Sequence, residues 1–300
     1  MAKARIAVVG AGLMGHGIAQ VFALAGHEVK ITDTVVKNLD TVASRIAANL
    51  RDLGEDERAV ERVQPSVDLT DAVHDADYVV EAVSENLALK KKLFAELERR
   101  TRPDTILASN TSVIPITAIM QDLSRRERAV GTHWWNPPFL VPLVEVIGTQ
   151  WTSPQVIATT MELHAAAGKT PAHVKKDVPG FIGNRLQHAL WREAISLVER
   201  GICDAKTVDD VVKASFGRRL AVLGPIENAD QVGTDLTLAI HEVVLPAIES
   251  RPGPSPYLQD LVANGKLGFK SGEGFQKWSP EQQAALRARV MRHLKAMRGT

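Results

Sequence analysis

The chain has a single cysteine, Cys203, in 300 residues. One thiol closes no internal disulfide and builds no Cys-rich metal site. There is also no excess of one charge: 36 Lys and Arg stand against 35 Asp and Glu, a formal net charge of +1. Without a basic face, nucleic acid is not expected as a partner. No apolar run approaches the ~20 residues that cross a bilayer, so no membrane span is expected. The start, Met1 to Arg5, passes straight into a strand-like run without an apolar signal core or a cleavage site. No internal repeat or low-complexity stretch is present. The histidines other than His133 show no metal-ligand spacing, and no metal is expected. Charged residues at 24%, with 21 Gly and 15 Pro, argue against disorder. These absences leave a soluble, cytoplasmic globular protein as the expectation.

What is there is patterned. Single cores usually stop growing near ~150–250 residues, so this length favours two domains. Short, nearly continuous apolar runs at 5–9, 28–32, 78–83, 105–108, 129–133 and 141–147 suit strands buried on both faces of a parallel sheet. Helix-period segments at 13–25, 38–53, 87–99 and 154–167 lie between and after them. Such alternation predicts an α/β fold, a Rossmann-type doubly wound sheet with right-handed crossovers. From Pro179 the strand signal fades. Leu186, Ala189, Leu190, Ala194, Leu197 and Val198 recur with helical spacing, and Ser279-Pro280-Glu281-Gln282 opens a last helix with a capping box. The predicted division is therefore 1–178 for the sheet domain and 179–300 for a mostly α-helical C-terminal domain.

The run Ile6-Ala7-Val8-Val9 leads into Gly10-Ala11-Gly12-Leu13-Met14-Gly15. A G-x-G-x-x-G alone is weak, but this one follows a predicted strand and opens a predicted helix. Gly10 allows a tight turn, Gly12 a close approach of backbone to pyrophosphate, and Gly15 close helix–strand packing. Leu13 and Met14 open the helix whose N-terminus faces the phosphates. Asp33, about 20 residues on, ends the next strand and suits both ribose hydroxyls. It also repels a 2′-phosphate, and Asp33-Thr34-Val35-Val36 offers no Arg, so NAD is favoured over NADP.

Chemistry in doubly wound folds sits at the carboxyl ends of strands. Ser109-Asn110-Thr111-Ser112 follows one predicted strand, and His133 ends another. Glu145 lies inside an apolar run, where an unpaired carboxylate is costly. A His133–Glu145 pair satisfies it and suits a general base near neutral pH.

These residues, in order along nearly the whole chain, resemble the 3-hydroxyacyl-CoA dehydrogenase family. The resemblance includes the glycine loop, Val80 to Asn86, Ser109 to Ser112, His133 to Pro137, Leu143 to Ile147, Pro179 to Leu186, Gly224-Pro225 and Ser271 to Phe275. It implies an NAD-dependent dehydrogenase in which His133 is the base and Glu145 its partner. Ser112 and Asn184 would hydrogen-bond the substrate oxygen. Glu85, Lys90 and Asn136 would sit near the cofactor ribose and nicotinamide. It also implies a homodimer joined through the C-terminal domain.

The sequence departs from the CoA-using members in the stretch from Asp33 to Tyr78. That stretch is shorter by roughly a dozen residues where those members carry a lysine-bearing arm, and its tip, Asp52 to Arg58, is acidic. An acidic tip would repel phosphorylated CoA. Trp134-Trp135, Pro137-Pro138 and Leu197 to Ile202 look more like the gulonate 3-dehydrogenase/lambda-crystallin and pyridine hydroxy-acid branches. Those branches act on free hydroxy acids or alcohols. A free acid needs a cation for its carboxylate, and Arg219, with Arg218 behind it, is the candidate.

Blander readings stand beside these. Ser112 serves as a turn serine, Asn184 as a helix cap, and Arg219 as a solvated side chain. Lys90, Lys91 and Lys92 read as a solvated helix face, with only Lys90 tied to the cofactor. Cys203 reads as inert. The competing functions are a short-chain 3-hydroxyacyl-CoA dehydrogenase and a crystallin-like structural or NAD-sensing protein. A 6-phosphogluconate/3-hydroxyisobutyrate type is disfavoured because residues 181–186 lack its catalytic Lys.

Overall fold

The computed structural model describes residues 3–298. They form two compact units. The first runs through Arg185 and takes back the chain from His293 onward; the second is Leu186–Arg292.

The first unit is built on β1 (Arg5–Val9), β2 (Glu28–Thr32), β3 (Val63–Ser66), β4 (Tyr78–Glu81), β5 (Ile106–Ser109), β6 (Ala129–Trp134), β7 (Leu143–Ile147) and β8 (Thr170–Val174). Among the described residues they make one sheet of order β3-β2-β1-β4-β5-β6-β7-β8. Pairs from β3 to β6 are parallel, and the order reverses direction between β1 and β4. That reversal opens a crevice at the carboxyl ends of the strands. β7 is the exception to the predicted parallel sheet. It runs antiparallel to β6, and β8 runs parallel to β7. The reason is the short connection from Trp135 to Pro142, which turns the chain back beside β6; a parallel neighbour needs a crossover of a dozen or more residues.

The helices of this unit are α1 (Leu13–Leu24), α2 (Val36–Asp40), α3 (Val42–Leu53), α4 (Leu69–Val73), α5 (Leu87–Arg100), α6 (Ile116–Met120), α7 (Pro154–Ala166) and the start of α8 (Gly183–Glu199). Both sheet faces are covered. Ile6 and Val8 join a core with Phe22, Ile31, Ile46 and Trp134, whereas Ala7 and Val9 join one with Phe94, Leu97, Leu107 and Ile147. This is the period of two expected of a strand buried on both sides.

The predicted helix over 38–53 begins earlier and breaks at Thr41, whose hydroxyl donates to the Lys37 carbonyl at 2.9 Å. Such local bonding competes with the helix ladder.

The second unit holds the rest of α8, then α9 (Ala205–Ala214), α10 (Pro225–Val232), α11 (Thr234–Val244), α12 (Pro256–Ala263) and most of α13 (Pro280–Ala296). The capping box of α13 is formed: Ser279 N–H donates to Gln282 Oε1 at 2.8 Å, and Gln282 N–H to Ser279 Oγ at 3.3 Å. Among the described residues of this unit, Leu261 is the buried apolar side chain and Ser196 the buried polar one. Residues to Arg185 group with the sheet, and near the chain's end Lys295 and Arg298 pair with Asp52 and Glu55 of the α3 region.

Candidate active site

The glycine loop is dictated by close backbone approach. Gly10 has φ +105°, and a Cβ there would lie 2.6 Å from the carbonyl oxygen of Ala82, just past the end of β4. A Cβ on Gly15 would lie 1.7 Å from the Gly10 carbonyl oxygen, so α1 reaches its contact with β1 only with glycine there. A Cβ on Gly12 would meet nothing within 4 Å. The loop is thus closed behind and open in front at the N-terminus of α1, where first-turn N–H groups have no intrahelical acceptor. Leu13 is exposed and Met14 half-buried beside that opening.

Asp33 follows β2 and is oriented by three donors. Ala11 N–H reaches one carboxylate oxygen at 2.8 Å, Asn38 Nδ2 the same oxygen at 3.0 Å, and Val35 N–H the other at 2.8 Å. An open glycine loop, free first-turn amides and a fixed carboxylate fit the pyrophosphate and ribose of a dinucleotide.

His133 and Glu145 are register partners across the antiparallel β6–β7 pair. His133 Nδ1 lies 2.8 Å from Glu145 Oε2, and both residues are buried. The other carboxylate oxygen accepts from the N–H groups of Ile182 at 2.8 Å and Gly183 at 3.0 Å, at the start of α8. Burial pushes the Glu145 carboxyl up, but His133 and these two amides outweigh it and hold it below the ordinary carboxylate value. The His133 ring packs against Trp135 and Phe181, with centroids at 5.3 and 5.7 Å.

Ser112 and Asn184 meet through the backbone, Asn184 Nδ2 donating to the Ser112 carbonyl at 2.9 Å. Asn184 lies inside α8, so it is not the residue that caps it. Ser112 is exposed, but its loop is fixed by Glu85. One Glu85 oxygen accepts from the Thr111 hydroxyl at 2.5 Å, Ser112 N–H at 3.0 Å and Val113 N–H at 3.2 Å. Burial raises the Glu85 carboxyl, while Thr111, Lys90 and these amides bring it below its ordinary value.

Lys90 stands apart from the solvated face expected of its neighbours. It is fully buried, with its ammonium 2.6 Å from Glu81 and 3.3 Å from Glu85. Glu81 is also fully buried and accepts from Val83 N–H and the Ser109 hydroxyl, both at 2.7 Å. Lys90 thus pairs with Glu81 and Glu85 together. Asn136 is exposed, in a cis peptide with Pro137. Arg218 and Arg219 are exposed on the second unit.

The acidic tip is also corrected. Asp52 pairs with Lys295, Glu55 with Arg298, Asp56 with Arg58 and Glu57 with Arg51. Its charge is compensated, so repulsion of a phosphorylated handle there is weak.

Sequence reasoning missed the Ile182 and Gly183 amides and the role of Glu81. The Gly180-Phe181-Ile182-Gly183 string marks the first, because flanking glycines free the backbone to approach a side chain. The second has no local mark.

Known proteins match the chain along nearly its whole length. The NAD-binding domain model of 3-hydroxyacyl-CoA dehydrogenase matches residues 5–178, and the C-terminal domain model residues 180–278. The chain is 38% identical over 298 residues to 5-formyl-3-hydroxy-2-methylpyridine 4-carboxylate 5-dehydrogenase of Mesorhizobium japonicum, covering 98% of this chain and 96% of that protein. It is 39% identical over 290 residues to the human mitochondrial hydroxyacyl-coenzyme A dehydrogenase, covering 91% and 90%. Among solved structures, the same pyridine carboxylate dehydrogenase, described as an NAD+ dependent dismutase, superposes with a TM-score of 0.92 at 37% identity over 99% of this chain and 98% of that one. A 3-hydroxybutyryl-CoA dehydrogenase from Escherichia coli K12 superposes with a TM-score of 0.77 at 36% identity, over 93% of this chain and 60% of that one.

Proposed function

We propose an activity on the premise that this chain belongs to the 3-hydroxyacyl-CoA dehydrogenase family. It is an NAD-dependent oxidoreductase acting on a hydroxyl group. The proposal concerns its substrate and its base: a small free hydroxy acid, or the matching carbonyl compound, handled by His133.

The observation that carries the substrate class is the structural match. The pyridine carboxylate dehydrogenase superposes at 0.92 over nearly the whole chain, against 0.77 for the hydroxybutyryl-CoA enzyme. The compensated charges of the Asp52 to Glu57 tip remove electrostatic exclusion as an argument, and the short stretch itself remains.

His133 Nε2 takes the hydroxyl proton in the oxidative direction. Glu145 on Nδ1 fixes the tautomer and stabilises the imidazolium. The Ser112 hydroxyl and Asn184 amide hydrogen-bond the substrate oxygen. Bound NAD supplies the hydride acceptor, and the chain supplies orientation and the proton path. Support comes from the 2.8 Å His133–Glu145 contact and the Ser112–Asn184 bond. Arg219 is the proposed fork for the substrate carboxylate. Arg219→Ala then raises KM for an acid far more than for a neutral alcohol, and equal changes would remove Arg219 from the site.

The functional unit is a homodimer joined through the second unit. Supporting it, Val222, Ile226 and Val243 are 84%, 74% and 75% exposed on that unit's helices and loops. Such uncovered apolar surface suits a self-complementary interface.

A second reading, a short-chain 3-hydroxyacyl-CoA dehydrogenase, is favoured by the 39% identity to the human enzyme. NADH formation from matched 3-hydroxybutyrate and 3-hydroxybutyryl-CoA decides between them. A kcat/KM preference for the free acid supports the proposal, and a preference for the thioester replaces it.

A further inference from the structure

The carbonyl oxygens behind the glycine loop are held by two side chains outside the G-x-G-x-x-G pattern. Arg45, on α3, donates from one terminal nitrogen to the Ala11 carbonyl at 2.7 Å and from the other to the Gly12 carbonyl at 3.3 Å. The first also reaches the Asn38 carbonyl at 2.9 Å. His16, on α1, places Nδ1 2.8 Å from the same Gly12 oxygen. Asn49 Nδ2 stands 3.3 Å from His16 Nε2 and donates to Gln20 Oε1 at 3.0 Å. This chain of contacts is consistent with one neutral tautomer, with Nδ1–H donating to Gly12 and Nε2 accepting from Asn49. Burial holds the His16 imidazole below its ordinary value, against the Gly12 bond and with the charge of Arg45.

A trans peptide points its C=O and N–H in opposite directions. The Ala11 carbonyl is pulled toward α3, so the Gly12 N–H of the same peptide unit points away from α3. The Gly12 carbonyl accepts from the His16 backbone N–H at 3.3 Å, the first turn of α1, and is gripped by Arg45 and the His16 ring besides, so the Leu13 N–H points the opposite way. Among the described residues neither amide has a protein acceptor. They belong to the open side of the loop, where Gly12 has no neighbour and Leu13 is 68% exposed.

We propose that Arg45 and His16 are positioning residues for the cofactor: gripping the Ala11 and Gly12 carbonyls from behind, they aim the Gly12 and Leu13 N–H groups at the NAD diphosphate. The guanidinium suits this task because one planar fork spans two carbonyls, which an ammonium on a flexible stem does not do in fixed geometry. The inference rests on NAD dependence and not on the substrate proposed above.

Calorimetric titration of the full chain with NAD, ADP-ribose and adenosine tests it, and wild-type binding of NAD checks the premise separately. Arg45→Lys is the deciding variant, because it keeps the positive charge and loses the fork. We expect it to weaken NAD and ADP-ribose at least threefold, and Arg45→Gln at least tenfold, with adenosine changed less than twofold in both. His16→Ala should weaken ADP-ribose by about threefold, adenosine again being spared. Arg51→Gln, on the same helix but paired with Glu57, should leave all three ligands unchanged. Wild-type affinity for ADP-ribose in Arg45→Lys would overturn the proposal by reducing Arg45 to a charge. Equal loss of adenosine and ADP-ribose would overturn it by reducing Arg45 to general support of the domain. If Arg45→Gln does not fold, Arg45→Lys decides alone.

Discussion

Phe181 packs its ring, tilted by 49°, 5.7 Å from that of His133 while its own backbone sits at φ +51°. Among the described residues it is the non-glycine side chain with a left-handed backbone. The two amides that hold Glu145 follow it directly. Left-handed backbone at a bulky residue costs of order 1–3 kcal/mol and persists only where surroundings enforce it. A β-branched residue opposes it further. The isomers Phe181→Leu and Phe181→Ile leave similar cavities, so their difference isolates the backbone. We expect the Ile variant to be less stable in urea unfolding by about 1 kcal/mol and to have the lower kcat. Equal stabilities would show that the loop does not depend on this conformation.

Removing the proposed base should cut turnover steeply without removing the cofactor. His133→Ala should lower kcat by roughly 10²–10⁴, the usual span for a positioned acid–base group. Its Kd for NAD should stay within twofold. Glu145→Gln should lower kcat less, because the imidazole remains. Stopped-flow single turnover separates these effects from product release.

The Glu145 carboxyl titrates below its ordinary value of 4.5 in the folded chain. Its ionised form therefore adds stability that is present above about pH 4.5 and is lost as pH falls through the lower native value. Glu145→Gln should shrink the fall in Tm between pH 6 and pH 3.5. An unchanged fall would place the acid sensitivity on other carboxylates.

Lys90 and Glu81 are a fully buried ion pair. Lys90→Met leaves Glu81 charged without a cation, which costs about 3–5 kcal/mol. The double variant Lys90→Met with Glu81→Gln should recover much of that stability, since no buried charge then lacks its partner. Activity should not recover with it, because Glu85 has lost the ammonium that holds one of its oxygens. Chemical denaturation and kcat, measured on the same three proteins, check both halves.

The central strands were legible because both their faces are buried. Residues 5–9, 28–32 and 129–133 read as continuous apolar runs, and β1, β2 and β6 lie there. The edges were not legible. β3 reads Val-Gln-Pro-Ser with only Val63 buried, and β8 carries Pro171 with only Val174 buried. A strand paired on one side needs neither continuous apolarity nor every N–H. Long-range charge was equally hidden. Asp52 and Glu55 look like a free acidic tip until Lys295 and Arg298, 243 residues on, are brought beside them. The partner of Lys90 was hidden as well, because Glu81 is a strand-end carboxylate nine residues earlier on another element. The His133–Glu145 contact was legible, because a carboxylate in an apolar run needs a partner and the two side chains end up in register.

That register has a consequence for how such a protein can change over time. The β6–β7 ladder pairs Gly131 with Ile147, Thr132 with Val146, His133 with Glu145 and Trp134 with Val144. A residue gained or lost between Trp135 and Pro142 alters the connecting loop and leaves every one of those pairs facing as before. A residue gained within either strand would turn the imidazole or the carboxylate to the opposite side of the sheet. The connection is less free in composition than in length, because Trp135 packs on the His133 ring and Pro138 and Leu140 are buried.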